Sequence, residues 1–185
     1  FRLRPRAGTV SGAFNAPRIG GAQEYGLVGT EAVVNVGPVQ LVGEYQNVWV
    51  NRPSGGNLHF HGGYFYISYF LTGEHMPWDR ETGLLDRVIP RENFFVVDRC
   101  GRRVCRRGAW QVAIRYSMAD FADRDIRGGI ADSVTAALNW YWTPYAGMQF
   151  NYLYGNITDN DLNAAPGGPN FGDYHILGMR FRIDF

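Results

Sequence analysis

Apolar and polar residues alternate one by one along much of this chain, most clearly at its C-terminal end. There Leu177, Met179, Phe181, Ile183 and Phe185 are separated by Gly178, Arg180, Arg182 and Asp184. Successive side chains of a strand point to opposite faces, so this segment has one oily face and one charged face. The same period returns upstream. Trp110, Val112, Ile114, Tyr116 and Met118 alternate with Gln111, Ala113, Arg115 and Ser117. Val134, Ala136, Leu138, Trp140 and Trp142 share one phase, with Thr135, Asn139 and Tyr141 in the other. Met148, Phe150, Tyr152 and Tyr154 alternate with Gln149 and Asn151.

Further strands are expected over residues 25–36, 39–50 and 60–71, and the end of one over 1–6. Gly37-Pro38 and Thr143-Pro144-Tyr145-Ala146 read as tight turns. The total is about eight strands of about 10 to 14 residues, the length a tilted strand needs to cross a bilayer. A soluble sandwich would use shorter strands and bury its apolar faces. The pattern therefore predicts an all-β chain, an antiparallel transmembrane β-barrel forming a single domain over 1–185. Aromatics near strand ends, such as Trp140, Trp142 and Tyr145, match interfacial girdles. A terminal aromatic on an alternating strand is the signal that outer-membrane barrels show to their assembly machinery, so Phe185 is the expected contact.

Strand parity assigns sides. With Phe185 at the periplasmic rim, the two Pro-containing turns are periplasmic, and the segments 5–23, 51–57, 122–131 and 157–173 become extracellular loops. The long connection over 74–108 falls on the periplasmic side and carries eight arginines, among them Arg102, Arg103, Arg106 and Arg107. A connection of that length is usually functional or disordered, and this one is expected to fold back into the pore.

Composition adds three constraints. The net charge is +1 and the mean hydropathy −0.25, and no apolar run is long enough for a transmembrane helix. Alternating strands escape that test because their two faces average out. All 18 basic residues are arginine. Arginine keeps its charge almost anywhere and presents a planar fork that matches phosphate oxygens, although a genomic preference for arginine codons explains the bias equally well. The chain starts at Phe1 with no initiator Met or signal peptide, so either processing removed the start or much of the protein lies upstream. Cys100 and Cys105 read as a local disulfide or two free thiols.

Three stretches then carry a resemblance: Gly108-Ala-Trp-Gln-Val-Ala-Ile-Arg-Tyr-Ser117, Asn139-Trp-Tyr-Trp-Thr-Pro144 and Tyr69-Phe-Leu-Thr-Gly-Glu74. In this order they are similar to the C-terminal half of the phosphate-selective porins, the porin O and P family. The resemblance covers nearly the whole chain. It implies a sixteen-stranded outer-membrane barrel assembled as a homotrimer, of which this chain is about half, passing phosphate or other small anions passively. It also implies that Phe1-Arg2-Leu3-Arg4-Pro5-Arg6 contributes Arg2, Arg4 and Arg6 to a row of lumen-facing arginines, and that a long periplasmic connection enters the lumen.

The chemistry agrees with that role. An anion path needs fixed positive charge lining a wet passage, strong enough to recruit an ion and weak enough to release it. Arginines two apart on a strand face the same way at intervals of about 7 Å. Arg2, Arg4 and Arg6 have this spacing, and their alternative is a charged strand end at the headgroup level. Arg115, Arg180 and Arg182 share the inward phase; their alternative is pairing with Asp184, Glu31 or Glu44 as lumen scaffolding. The loop arginines read equally as positive potential at the mouth or as a solvated basic hairpin. The Asp120-Asp123-Asp125 and Asp159-Asp161 clusters read as polar loop residues, with cation binding the alternative. His59, His61, His75 and His175 lack metal spacing, and no nucleophile motif occurs. No enzyme, cofactor, metal or nucleic-acid role is expected. The rival readings are a general porin, a small closed eight-stranded barrel of structural role, and a barrel enzyme with strand-borne catalytic groups.

Overall fold

The computed structural model describes residues 19–97, 103–160 and 172–185. It is all-β. In chain order the strands are β1 (Glu24–Val36), β2 (Val39–Asn51), β3 (Leu58–Phe70), the short pieces β4 (Trp78–Asp79), β5 (Leu84–Leu85), β6 (Phe95–Val97) and β7 (Arg103–Cys105), then β8 (Ala109–Asp123), β9 (Ile126–Thr143), β10 (Ala146–Asn160) and β11 (Gly172–Ile183). The seven long strands form one antiparallel sheet in the order β1-β2-β3-β8-β9-β10-β11, while β4 pairs β5 and β6 pairs β7 separately. Every long strand therefore neighbours its predecessor in sequence, an up-and-down meander. Among the described residues β1 pairs only β2 and β11 only β10, so the sheet is open at both edges. The strand expected over 1–6 lies outside the described residues.

The register divides the side chains into two sets. Val112, Leu138, Phe150 and Met179 stand in one row across β8, β9, β10 and β11, and Ile114, Ala136, Tyr152 and Leu177 in the next. Most of these are exposed, Leu177 to 84% and Met179 to 61%. The opposite set, including Ser68, Gln111, Ala113, Arg115, Thr135, Asn139, Gln149 and Asn151, lines a concavity of about 740 Å³. The sheet is thus convex and apolar on one side, concave and polar on the other. A water-soluble sheet arranges these the other way round.

The expected extracellular loop over 122–131 is not one. β8 and β9 run on to a two-residue turn at Arg124-Asp125. Arg124 there has φ +52° and Gly129 has φ +92°, and the β8–β9 register slips between Asp120 and Ala122. A bulge breaks the period of two, which is why this stretch of sequence resembles a loop. Likewise β10 continues to Asn160, into the segment expected as an external loop.

Small apolar clusters close both ends of the concave side. At the loop end Ile19, Val48, Val50, Leu58, Phe60 and Ile126 are buried together, with Phe121 against them. At the turn end Phe70, Val88, Ala109 and Tyr141 form a second cluster with Met76 beside them. Met76 and Val88 belong to the 74–108 connection, so part of that connection covers the concave face at this rim.

Candidate functional site

The polar face is built from the strands upward. Gln40, Ser68 and Gln111, from β2, β3 and β8, are each at most 3% exposed. Asn139 Nδ2 and Tyr141 Oη donate to Gln111 Oε1 at 2.9 and 2.8 Å. Gln111 Nε2 then donates to Ser68 Oγ at 2.9 Å. Tyr66 Oη donates to Gln40 Oε1 at 3.2 Å, and Ser68 Oγ lies 3.5 Å from the same oxygen. Most of these buried polar atoms are thus satisfied, Gln40 Nε2 being one without a hydrogen bond among the described residues; the result is an uncharged wall.

Arg115 stands on this wall. Its guanidinium lies 3.9 Å from the Tyr64 ring centroid, and its Nε donates to Ser117 Oγ at 2.9 Å. Among the described residues its Nη atoms make no hydrogen bond, so the outer edge of the fork stays available toward the concavity. A cation over an aromatic face keeps its charge while losing freedom, which holds that edge in place. Arg182, on the same face of β11, lies 5.4 Å from the Tyr141 ring and 3.6 Å from Asp184. Arg180 stands opposite Gln149. Arg115, Arg180 and Arg182 therefore share the concave side but do not touch. The pairing with Glu31 or Glu44 weighed for them is not formed; those two carboxylates face each other across β1 and β2. Arg2, Arg4 and Arg6 lie outside the described residues, as does Cys100; Cys105 is exposed.

Sequence reasoning missed Tyr64 as the platform for Arg115 and the Gln40–Ser68–Gln111 chain. Their signal was present, since all share the inward phase, but polar residues on that face were read individually. Among the described residues no group of three metal-ligating side chains converges.

The two rims differ. At the turn end Trp110 and Trp140 stack at 4.8 Å, and both indole N–H groups donate to Arg107 O, at 3.0 and 2.9 Å. Phe94 packs on Trp140 and Phe95 on Trp142, at 4.7 and 6.0 Å. Gly108, with φ +65°, carries the chain into β8 so close to the Tyr141 carbonyl that a Cβ would collide with it. Glu74, 4% exposed, accepts from Arg91 N at 3.1 Å and from the Thr72 hydroxyl. At the loop end Arg52, with its side chain 4% exposed, donates to Asp125 through both Nη atoms, at 2.9 and 2.6 Å, and to Gly55 O and Gly56 O. That hydrogen bond holds the Asp125 carboxyl below the usual carboxylate range and raises the Arg52 guanidinium.

The three stretches Tyr69–Glu74, Gly108–Ser117 and Asn139–Pro144 thus meet at the turn end, where they build the tryptophan rim and the buried amide chain. A family model described as phosphate-selective porin O and P matches residues 10–185. The chain belongs to that family. Its members are channels rather than enzymes, and an antiparallel sheet with an apolar outer face is what a porin wall requires. An uncharacterized protein of Caulobacter vibrioides is 30% identical over 126 residues, which cover 68% of this chain and 23% of that protein. The chain therefore matches less than a quarter of this relative's length. Among the described residues no helix is long and apolar enough to cross a membrane.

Proposed function

We propose that this chain forms an arc of an outer-membrane β-barrel pore that passes small anions, phosphate foremost, by passive diffusion. The carrying observation is Arg115: an arginine fixed on Tyr64, with its fork turned to a wet concavity lined mostly by neutral side chains, Asp132 being a carboxylate among them. A held guanidinium among mostly neutral hydrogen-bonding groups, with carboxylates elsewhere on the same face, recruits an oxyanion without binding it too tightly to leave. Arg180 and Arg182 extend positive charge toward the turn end, and the family resemblance adds Arg2, Arg4 and Arg6, which lie outside the described residues, to the same anion path. Open edges at β1 and β11 support a barrel larger than this sheet, with the 74–108 connection lying partly in the lumen. Trimer assembly and recognition of Phe185 by the barrel-assembly machinery belong to the same reading.

A general porin is the second reading, favoured by the facing carboxylates Glu31 and Glu44, which add negative charge to the same face. Planar-bilayer recordings of the full-length protein in a salt gradient separate the two. Anion-side reversal potentials are expected for the parent, with a clear move toward zero in Arg115→Gln and a larger one in the Arg2, Arg4, Arg6 triple glutamine variant. Reversal potentials that stay unchanged in both variants refute the role of these arginines, and a cation-side potential in the parent refutes anion preference altogether.

A further inference from the structure

The concave wall has a gap that passage of a simple anion does not explain. Three register rows cross β1, β2, β3 and β8 there. In the middle row Gly29, Gln46, Gly62 and Ala119 stand side by side, so three of its four positions have almost no side chain. A Cβ on Gly62 would lie 3.0 Å from Met118 O and 3.1 Å from Ala119 Cβ, too close for an unstrained side chain. The row on the turn side is Glu31, Glu44, Tyr64 and Ser117. The row on the loop side is Leu27, Val48 and Phe60, with Phe121 edge-on to Phe60 at 6.4 Å. The missing side chains leave a cavity of about 460 Å³ between a charged wall and an apolar one, a size that suits a small solute.

The charged wall carries both signs without joining them. Arg115 reaches over the Tyr64 ring, 3.9 Å from its centroid, and its Nε donates to Ser117 Oγ. The Tyr64 hydroxyl hydrogen-bonds Glu44, and Gln46 Nε2 donates to Glu44 Oε1 at 2.5 Å. Tyr64 is therefore a spacer, with a guanidinium on its ring and a carboxylate at its hydroxyl, and the two charges form no ion pair. Each keeps capacity for a ligand. The Arg115 Nη atoms make no hydrogen bond among the described residues, and the two contacts to Glu44 fill only part of the roughly four acceptor sites of a carboxylate. Glu31, opposite Glu44 on β1, adds a second carboxylate to that side. A simple anion in the gap meets these acids, and a simple cation meets the guanidinium. A zwitterion satisfies both. The other wall is exposed Leu27 and half-buried Phe121, backed by buried Val48 and Phe60, and it suits an apolar group.

We propose that this gap binds an α-amino acid with an aliphatic side chain, its carboxylate on Arg115, its ammonium on Glu44 and its side chain against Leu27 and Phe121. Both charged ends then make charge-assisted hydrogen bonds, and the three groups branch from one carbon as the three partners converge on one cavity. The site rests on the reading above in that the concave face is wet, but not on the pore preferring anions.

Isothermal titration calorimetry of the full-length protein in detergent, with L-leucine as the probe, tests it. The comparison ligands are isocaproate, which lacks the ammonium, isoamylamine, which lacks the carboxylate, and glycine, which lacks the side chain. Leucine is expected to bind several-fold tighter than any of the three. Glu44→Gln keeps the shape of the side chain and removes its charge. It should weaken leucine several-fold while isocaproate binds no more weakly than before, which also shows that the variant is folded. Arg115→Gln should weaken leucine and isocaproate alike. Leucine that binds no tighter than isocaproate or isoamylamine, or that is unaffected by Glu44→Gln, overturns the proposal. Reversal potentials in a salt gradient keep the two readings apart. A parent on the anion side that ignores leucine refutes this site alone, whereas a parent on the cation side that binds leucine as described refutes anion preference alone.

Discussion

The two faces of this sheet share every strand and every backbone hydrogen bond, yet they obey opposite rules. On the convex side Phe150, Tyr152, Leu177 and Phe181 stand exposed with few contacts beyond their neighbours. On the concave side Gln40, Ser68 and Gln111 are buried and mutually hydrogen-bonded. In water the exposed apolar face would be costly. Hydrocarbon against the convex side, as the proposed membrane setting supplies, removes that cost. The comparison teaches that the environment, rather than residue type alone, decides which face holds the chain together.

The largest expected effect is at the loop end, one of the two places where apolar clusters interrupt the polar concave face. Phe60→Ala removes the centre of the apolar cluster that seals the loop end, and should cost about 3–5 kcal/mol in urea unfolding from lipid vesicles. A cost below about 1 kcal/mol would mean that the cluster is not packed. Next comes the direct contrast between adjacent residues at one height. Phe150→Arg puts a charge into the lipid-facing band and should cost about 2–4 kcal/mol, while Asn151→Arg, one residue on and facing the concavity, should stay within about 0.5 kcal/mol. Equal costs would abolish the distinction between faces.

Gln111→Leu sharpens the comparison from the other side. It strands Asn139 Nδ2 and the Tyr141 hydroxyl, and should cost about 1–3 kcal/mol for each group left without a partner. Val112→Leu, on the convex side, should be close to neutral in the same urea unfolding measurement. The smallest effect is at the mouth. Asp125 titrates below its ordinary range because Arg52 binds its charged form, so the stability this pair adds is complete above the unfolded carboxylate pKa of about 3.9 and is lost as pH falls through the lower folded value. Amide exchange of residues 52–57 should therefore be flat from neutral pH down to about 5, after correction for intrinsic rates, and should rise below about 4. Asp125→Asn should exchange faster throughout, without that step.

Much of the fold is legible in the sequence because a period of two survives wherever a strand separates two solvents. The phases of 109–121, 148–155 and 177–185 translate directly into the two faces observed. Legibility fails where geometry leaves that period. The bulge between Asp120 and Ala122, with Gly129 at positive φ, disguises a continued hairpin as a loop. The site is less legible than the fold. Inward phase identifies Arg115, Arg180 and Arg182 as sharing a side, but which arginine is held depends on Tyr64 lying next to it across a strand pair, a relation between positions far apart in the chain. The rim motifs that resemble other porins are conspicuous because Trp110, Trp140 and Gly108 have demanding packing, although none of them faces the concavity.

The central claim is open to one direct measurement. Spin labels placed singly along β10 at positions 148 to 154, in the full-length protein with Cys100 and Cys105 replaced by serine and reconstituted into lipid vesicles, report oxygen and water-soluble nickel accessibility residue by residue. The account predicts strict alternation: Met148, Phe150, Tyr152 and Tyr154 positions open to oxygen dissolved in the bilayer, Gln149, Asn151 and Leu153 positions open to nickel. Labels at the even positions that are shielded from oxygen, or reached by nickel as readily as their neighbours, would contradict it.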